Sequence, residues 1–182
     1  MSISTRAGDN GTTSLRYNRR VSKSHVRVQA YGNVDDLNAL LGAARCHAKR
    51  TEPDEASLIH GFQETLIHIG AELALDDADR VAHPEALRGA IGEETVQGLD
   101  RLVSEWEGEG IRFEGFVLPG ETDYSAALHI ARTACRRAEV AAVRVREAGG
   151  FMSDAILRYL NRLSDVLWLM AYRDEKKAGG RD

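Results

Sequence analysis

The scarcity of proline is the feature that most constrains the fold of this chain. Its 182 residues contain three prolines, Pro53, Pro84 and Pro119, and each lies where the helical pattern already breaks. Because proline removes a backbone donor and clashes with the preceding turn, long segments without it can run as uninterrupted helices. Apolar residues recur at helical spacing in these segments, and alternating stretches are short. The pattern therefore favours a mostly α fold.

The periodicity predicts five helices joined by short links. Their expected ranges are 28–49, 54–75, 93–106, 123–148 and 153–175. Residues 76–91 are predicted to form a polar loop, and residues 113–120 a short extended segment. Amphipathic helices of this length bury their apolar stripes against one another, so the fold class expected is an all-α, five-helix up-and-down bundle.

The chain is short enough for a single domain. Residues 1–25 are polar and lack helical periodicity, and we expect a loop segment there that carries a binding function. Residues 26–175 are expected to form the bundle, followed by a flexible tail over residues 176–182.

Composition excludes several classes of protein. Hydrophobic residues make up 43% and charged residues 29%, as in globular domains, and the net charge of -4 argues against nucleic acid as a partner. No apolar run reaches the roughly 20 residues of a membrane span, and the N-terminus lacks a secretory apolar region. Cys46 and Cys135 are too few and too distant for a disulfide framework. We expect a cytoplasmic protein in which both cysteines are small helix-packing residues.

The N-terminal segment has the composition of an anion-binding loop. Gly8 and Gly11 flank Asp9, Arg6 supplies a cation, and hydroxyls follow at Thr5, Thr12, Thr13 and Ser14. Glycines allow backbone N–H groups to approach an anion closely. The segment matches neither a Walker A loop nor a Rossmann fingerprint. A disordered polar tail is therefore the alternative interpretation.

Two predicted helices carry polar groups beside apolar stripes. Arg132 and Arg136 are four residues apart and share one face of the fourth helix. Such arginines need anionic partners, either a phosphate chain or carboxylates of neighbouring helices. Asn161 and Asp165 share a face of the very apolar fifth helix, where they are satisfied by neighbours or serve a ligand.

Two other clusters also leave alternatives open. Asp35, Asp36 and Asn38 near the start of the first helix serve as helix-dipole partners or hold an arginine from another helix or subunit. Carboxylates and imidazoles repeat every four residues on the second helix, at His60, Glu64, His68 and Glu72. The Glu-x-x-His spacing of di-iron bundles is absent, so a solvated face is favoured over a metal stripe.

Taken in order, these segments resemble the PduO-type ATP:cob(I)alamin adenosyltransferases over about residues 4–172. The matching segments are 5–13 (TRAGDNGTT), 20–23 (RVSK), 28–38 (VQAYGNVDDLN), 116–120 (FVLPG), 127–132 (ALHIAR), 135–139 (CRRAE) and 159–165 (YLNRLSD). The resemblance implies a ferritin-like homotrimer of five-helix bundles with active sites between adjacent subunits. It implies transfer of the 5′-deoxyadenosyl group of ATP to Co(I) of a reduced corrinoid, with release of triphosphate.

The resemblance also implies roles for individual residues. ATP would be held by Thr5, Arg6, Gly8, Asp9, Gly11, Thr12, Thr13, Lys23, Arg136, Glu139 and Asn161. Of these, Arg6, Asp9, Arg136 and Asn161 would act in catalysis, with Mg²⁺ on the triphosphate and no residue assigned as a direct ligand of the metal. Asp35 and Arg132 would form a salt bridge across the subunit interface that shapes the corrinoid pocket. Phe116 would occupy the lower axial side of cobalt.

The implied partners are a reductase that supplies Co(I) and an enzyme that uses adenosylcobalamin. The sequence departs from the family pattern at Asn10, Tyr17, Asn18, Asp36, Glu121, Val140 and Trp168. Glu121 and Val140 motivate an alternative function, a non-catalytic corrinoid carrier or regulatory paralogue on the same scaffold. A metal-binding bundle built on the second helix is a third hypothesis.

Overall fold

A computed structural model describes residues 4, 6–111 and 118–179 of the chain. Its α-helices are α1 (Val26–Thr51), α2 (Pro53–Leu73), α3 (Asp77–Ala82), α4 (Glu93–Gly108), α5 (Asp123–Glu147) and α6 (Asp154–Gly179). The five long helices are those predicted from periodicity. The mostly helical fold is therefore confirmed.

The prediction that residues 76–91 form a loop is wrong. Asp76 caps the short helix α3 by accepting a hydrogen bond from the backbone N–H of Ala78 at 3.1 Å. A 3₁₀ turn, Pro84–Leu87, follows. Neither element is long enough to show helical periodicity, and the polar sequence concealed both. Helix α6 likewise runs four residues beyond the predicted end at residue 175, to Gly179.

The core lies between α1, α5 and α6, with α2 packed on α1 and α4 packed on α6. Leucines from all three central helices are fully buried, among them Leu37, Leu128 and Leu163. Alanines on α5 are also buried and allow its neighbours to approach closely: Ala131, Ala134, Ala138 and Ala142. Cys135 belongs to this core, but Cys46 is exposed, so only one of the cysteines packs between helices as predicted.

The N-terminal segment contains a β-hairpin that the sequence did not predict. Strands β1 (Thr12–Ser14) and β2 (Arg20–Ser22) pair antiparallel, with Thr13 opposite Val21. Strands this short give no readable alternation. The hairpin is fixed to the end of α2, because Leu15 is buried and the amide of Arg16 donates to the carbonyl of Ala74 at 3.0 Å.

The turn of the hairpin contains Tyr17 and Asn18, two residues at which the sequence departs from the family pattern. Their φ values are 56° and 60°, a left-handed conformation that glycine adopts most readily. The Tyr17 ring stacks on the ring of His83, with centroids 3.9 Å apart. This stacking offsets part of the strain of the turn.

Helix α3 supports the hairpin electrostatically. The guanidinium of Arg19 donates to both carboxylate oxygens of Asp79, at 2.7 and 2.9 Å, and lies 3.3 Å from Asp76. The hydrogen bond from Arg19 holds the pKa of Asp79 below its usual range. A bidentate pair of this kind fixes orientation, so α3 determines how the hairpin sits on the bundle.

Arg27 joins three parts of the bundle at the same end. Its buried guanidinium donates to the carbonyls of Leu73 and Phe151, at 3.3 and 3.1 Å, and to the carboxylate of Asp77 at 3.1 Å. It thereby links the start of α1 to the end of α2, the start of α3 and the turn before α6.

Within the described residues, no helix is sufficiently long and apolar to span a membrane.

Candidate functional site

The predicted anion-binding loop forms a compact turn that contains two glycines. Gly11 has a φ of +79°, which side chains rarely adopt, so this position favours glycine. A Cβ on Gly8 would lie 3.1 Å from the backbone oxygen of Thr12 and 3.2 Å from the side-chain nitrogen of Lys23, so these neighbours would have to shift slightly. The backbone amide of Lys23 donates to the carbonyl of Gly11 at 2.9 Å. The turn thus places Lys23 beside both glycines.

Arg20 organises this loop, and the sequence did not identify it as a site residue. Its guanidinium donates to the carbonyl of Ala7 at 2.8 Å, to the hydroxyl of Thr12, and to the hydroxyl of Ser14 at 3.4 Å. The Thr12 hydroxyl in turn donates to the side-chain oxygen of Asn10 at 2.7 Å. The sequence feature that could have identified Arg20 is its position at the start of segment 20–23, one of the segments that resemble the family.

Two charged residues of the loop are exposed to solvent, Arg6 and Asp9. The amide of Asp9 donates to the carbonyl of Arg6 at 3.3 Å, and the amide of Gly11 donates to the carbonyl of Gly8 at 3.1 Å. Thr13 is half-buried on β1. Thr5 and Phe116 lie outside the described residues, so their predicted roles are not tested by this structure. The loop therefore offers a cation and a carboxylate on an accessible surface.

A second cluster joins α5 to α6. Arg136 donates through one nitrogen to the side-chain oxygen of Asn161 at 2.9 Å and to the carboxylate of Glu139 at 3.1 Å. Three residues predicted to act together are thus brought into contact, although they come from two helices. The Arg136 side chain is 51% exposed, which leaves its guanidinium accessible to an anion.

An open, basic depression of about 380 Å³ surrounds Arg136. Its walls are formed by Asn33, Arg136, Arg137, Val140, Ala141 and Arg144. Arg137 forms an ion pair with Asp36, 2.9 Å away, one of the residues at which the sequence departs from the family pattern. Val140 is exposed in the depression and leaves the contacts of Arg136 intact. Glu121, the other unusual residue, is also exposed.

Asp35 and Arg132 do not meet within one chain. Asp35 is exposed on α1, and Arg132 is half-buried on α5. In the described part of the chain, the Arg132 side chain makes one hydrogen bond, from Nε to Nδ1 of His129 at 3.4 Å. Their pairing across a subunit interface therefore stays a prediction.

The loop and the arginine cluster have different side-chain partners within one chain. Among the described residues, the side-chain partners of Arg136 are Glu139 and Asn161, which belong to the bundle. The hairpin is instead anchored to the end of α2 and to α3.

The carboxylates and imidazoles of α2 do not form a metal centre. The Glu72 side chain is buried and accepts a hydrogen bond from the amide of Ser153 at 2.6 Å, so it departs from the predicted solvated face. A spacing of four residues drifts around a helix, and three steps turn the last residue inward. Nowhere in residues 6–111 and 118–179 do three such side chains converge as metal ligands.

Cys135 is not a nucleophile. Its thiol is buried and donates to the carbonyl of Leu160 at 3.1 Å. Burial raises the pKa of this thiol well above its ordinary value, so the thiolate is not formed near neutral pH.

Comparisons with known proteins agree with this geometry. The family model described as cobalamin adenosyltransferase matches residues 3–173. A corrinoid adenosyltransferase from Citrobacter freundii is 40% identical over 176 residues, which cover 95% of this chain and 94% of that protein. The corrinoid adenosyltransferase PduO of Salmonella typhimurium is 36% identical over 178 residues, and this chain spans 51% of its length.

A solved structure has the same fold. It is a variant PduO-type ATP:corrinoid adenosyltransferase from Lactobacillus reuteri complexed with cobalamin and ATP. It matches this chain with a TM-score of 0.85 at 28% identity, covering 96% of this chain and 91% of that one. The resemblance drawn from the sequence is confirmed. Because the family model spans nearly the whole chain, and a relative of the same length is 40% identical, this chain belongs to the cobalamin adenosyltransferase family.

Proposed function

We propose that this chain catalyses transfer of the 5′-deoxyadenosyl group from ATP to Co(I) of a reduced corrinoid. The observation that carries the proposal is the contact between Arg136, Glu139 and Asn161 on a bundle that also presents a glycine-shaped loop with Lys23. Relatives that match nearly the whole chain are corrinoid adenosyltransferases. Donors for a polyphosphate are present both at Arg136 and at the loop beside Lys23, as this reaction requires.

The chemistry asks for positioning more than for a protein nucleophile. Co(I) supplies the electron pair that attacks the 5′ carbon, the carbon–oxygen bond breaks, and triphosphate leaves with that bond's electrons. The protein must align the two substrates and stabilise the charge that grows on the leaving group. In this assignment Arg6, Lys23 and Arg136 stabilise the triphosphate.

The remaining loop residues orient ATP. Gly8 and Gly11 shape the turn, and the hydroxyls of Thr5, Thr12 and Thr13 complete the phosphate site in this assignment. Glu139 and Asn161 hold Arg136 in place, and Asn161 also contacts the nucleotide. Mg²⁺ bound to the phosphates would neutralise charge there, and Asp9 is the loop carboxylate suited to its water shell.

The corrinoid is assigned to a pocket shaped by Asp35 and Arg132, with Phe116 beneath the cobalt. An apolar ring in that position excludes a lower axial donor, which makes the cobalt easier to reduce before transfer. A reductase must supply the electron. An adenosylcobalamin-dependent enzyme would consume the product, and a reducing cytoplasm is the compartment that suits Co(I).

The active unit is proposed to be a homotrimer with sites between adjacent subunits. The hairpin and the Arg136 cluster have different side-chain partners within one chain, which agrees with this arrangement. Apolar side chains exposed on the outer face of α5 support it as well, since Ile130 and Val140 are 53% and 52% exposed. A ring of three subunits would place the hairpin of one chain against α5 of the next.

An anaerobic optical assay tests the function directly. Protein, chemically reduced cobalamin and MgATP are mixed, and loss of the Co(I) band is followed together with growth of an alkylcobalamin spectrum and release of triphosphate. We expect turnover that requires protein and ATP. Corrinoid binding without alkylation would replace the enzyme with the carrier or regulatory alternative, and no binding of either substrate would reject both.

Subunit complementation tests the position of the site. Lys23→Ala and Arg136→Ala are each expected to lower turnover by about a hundredfold or more, because each removes one half of the phosphate site. Co-expression should restore activity at about a quarter of the sites, since random mixing pairs each hairpin with one neighbour's α5 in a closed ring. Co-expression of Lys23→Ala with the double variant is the matched control and should restore nothing. Failure of the first pair to complement would place the whole site within one chain.

A further inference from the structure

A buried ionisable pair lies behind Arg132 and has no role in the assignment above. His129 on α5 is 5% exposed and Glu175 on α6 is 8% exposed. Their Nε2 and Oε1 atoms are 3.4 Å apart, and within the described residues neither atom has an aligned hydrogen bond to any group. Burying such groups is costly, so a pair in this place needs compensation from a third charge.

Arg132 supplies that third charge. Its Nε–H donates to Nδ1 of His129 at 3.4 Å, so Nδ1 carries no proton. The proton of the neutral ring is therefore on Nε2, the atom that faces Glu175. Burial lowers the pKa of His129, Arg132 lowers it further, and Glu175 opposes the shift. A neutral imidazole thus lies between a carboxylate and a guanidinium.

This arrangement determines which atoms Arg132 can offer. With Nε engaged by His129, the two terminal nitrogens remain, and neither has a partner among the described residues. These two nitrogens form the end of a planar fork that matches a carboxylate. Asp35, exposed on α1 and without a cation within ion-pair distance in the described part of the chain, is a carboxylate that a second copy would present.

We propose that His129 and Glu175 are positioning residues that orient Arg132 toward a second copy of the chain. By this orientation they set the affinity of the protein for the corrinoid. The inference rests on the proposed function, because Arg132 is placed at the corrinoid pocket there. A carboxylate that faces one nitrogen of an imidazole favours the tautomer with its proton on that nitrogen, and the other nitrogen is then free to accept from Arg132.

Three substitutions of His129 separate its two contacts. His129→Leu removes both, His129→Asn keeps an acceptor near the position of Nδ1, and His129→Gln keeps a donor near the position of Nε2. We expect the leucine and glutamine variants to raise KM for the corrinoid about tenfold, as expected for a lost hydrogen bond to a charged group. KM for ATP should not change, and His129→Asn should retain most of the wild-type affinity.

The control is His68→Leu, which removes an exposed imidazole on α2 and should leave both KM values unchanged. A merely structural role predicts similar effects of the asparagine and glutamine variants, or parallel changes in both KM values. Either result would overturn the proposal. Glu175→Leu removes the acceptor that faces Nε2 and lets the ring carry its proton on Nδ1, where it would oppose Arg132. This variant should raise the corrinoid KM as His129→Gln does, and a wild-type corrinoid KM would remove Glu175 from the proposal.

Self-association gives a readout that does not depend on turnover. Sedimentation equilibrium should show weaker association for His129→Leu and for Asp35→Asn, with no further loss in the double variant, because both act on one contact. Additive losses would show that His129 does not act through that contact. If the wild-type chain fails to alkylate cobalt but this coupling is seen, the proposed function fails and the positioning of Arg132 stands.

Discussion

Arg136→Ala is expected to lower turnover by about a hundredfold to a thousandfold, the usual cost of removing one donor that stabilises charge in a transition state. The guanidinium is held by Asn161 and Glu139, at 2.9 and 3.1 Å, so its position is set before a substrate arrives. A donor fixed in advance costs no reorganisation when charge grows on the triphosphate. The measurement is kcat in the anaerobic optical assay at saturating ATP and corrinoid.

The fold should survive this substitution. The Arg136 side chain is 51% exposed, and ion pairs at such positions contribute little to stability. Arg158→Ala is the matched control, because Arg158 is also 51% exposed and pairs with Glu93 on a neighbouring helix. The control should keep full activity. Turnover within a few-fold of wild type for Arg136→Ala, with the fold unchanged, would reject the role assigned to Arg136.

Arg27→Met is expected to produce the largest loss of stability, a decrease of about 3 kcal/mol in the free energy of unfolding. Arg27 is 2% exposed, and its guanidinium bonds to two backbone carbonyls and to Asp77. Methionine fills much of the same volume but leaves the carbonyls of Leu73 and Phe151 without this donor. Asp77 is half exposed and recovers water, which limits the loss.

Thermal unfolding at fixed protein concentration measures this effect, and the Tm should fall by about 6 to 12 °C for a chain of this size. Arg101→Met provides the control, since Arg101 is exposed on α4 and its loss should change Tm little. An unchanged Tm in Arg27→Met would mean that water replaces the three contacts without cost. The role of Arg27 in joining the helix ends would then be wrong.

The sequence predicted the long helices, because their apolar residues recur at helical spacing over several turns. Leucines such as Leu37 and Leu163 recur at helical spacing over several turns, and a pattern of that length is hard to mistake for another structure. The short elements were not predicted, because the three residues of β1 and the six of α3 are too few to show a hydrophobic periodicity. Glu72 was wrongly placed on a solvated face, since equal spacing along the sequence does not keep residues on one face.

The residues of the candidate site also divide into those that the sequence identified and those that only the folded structure revealed. Gly8, Gly11 and Arg136 were identifiable because loop chemistry and helix spacing are local properties, and their family resemblance added roles. Arg20 and the buried pair of His129 and Glu175 were not identified, since each acquires its meaning from a partner brought near only by folding. Glu175, for instance, lies 46 residues from His129 in the sequence and 3.4 Å from it in space.

By itself, the sequence determined five amphipathic helices, a glycine-spaced loop and the residue types able to bind a phosphate chain. Only the tertiary structure decided that Arg136 meets Asn161 and that α3 pairs with the hairpin through Arg19. The physical reason is the distance along the sequence over which each property is determined. Backbone conformation and amphipathic periodicity arise from neighbouring residues, whereas side-chain contacts between helices depend on how the helices pack against one another.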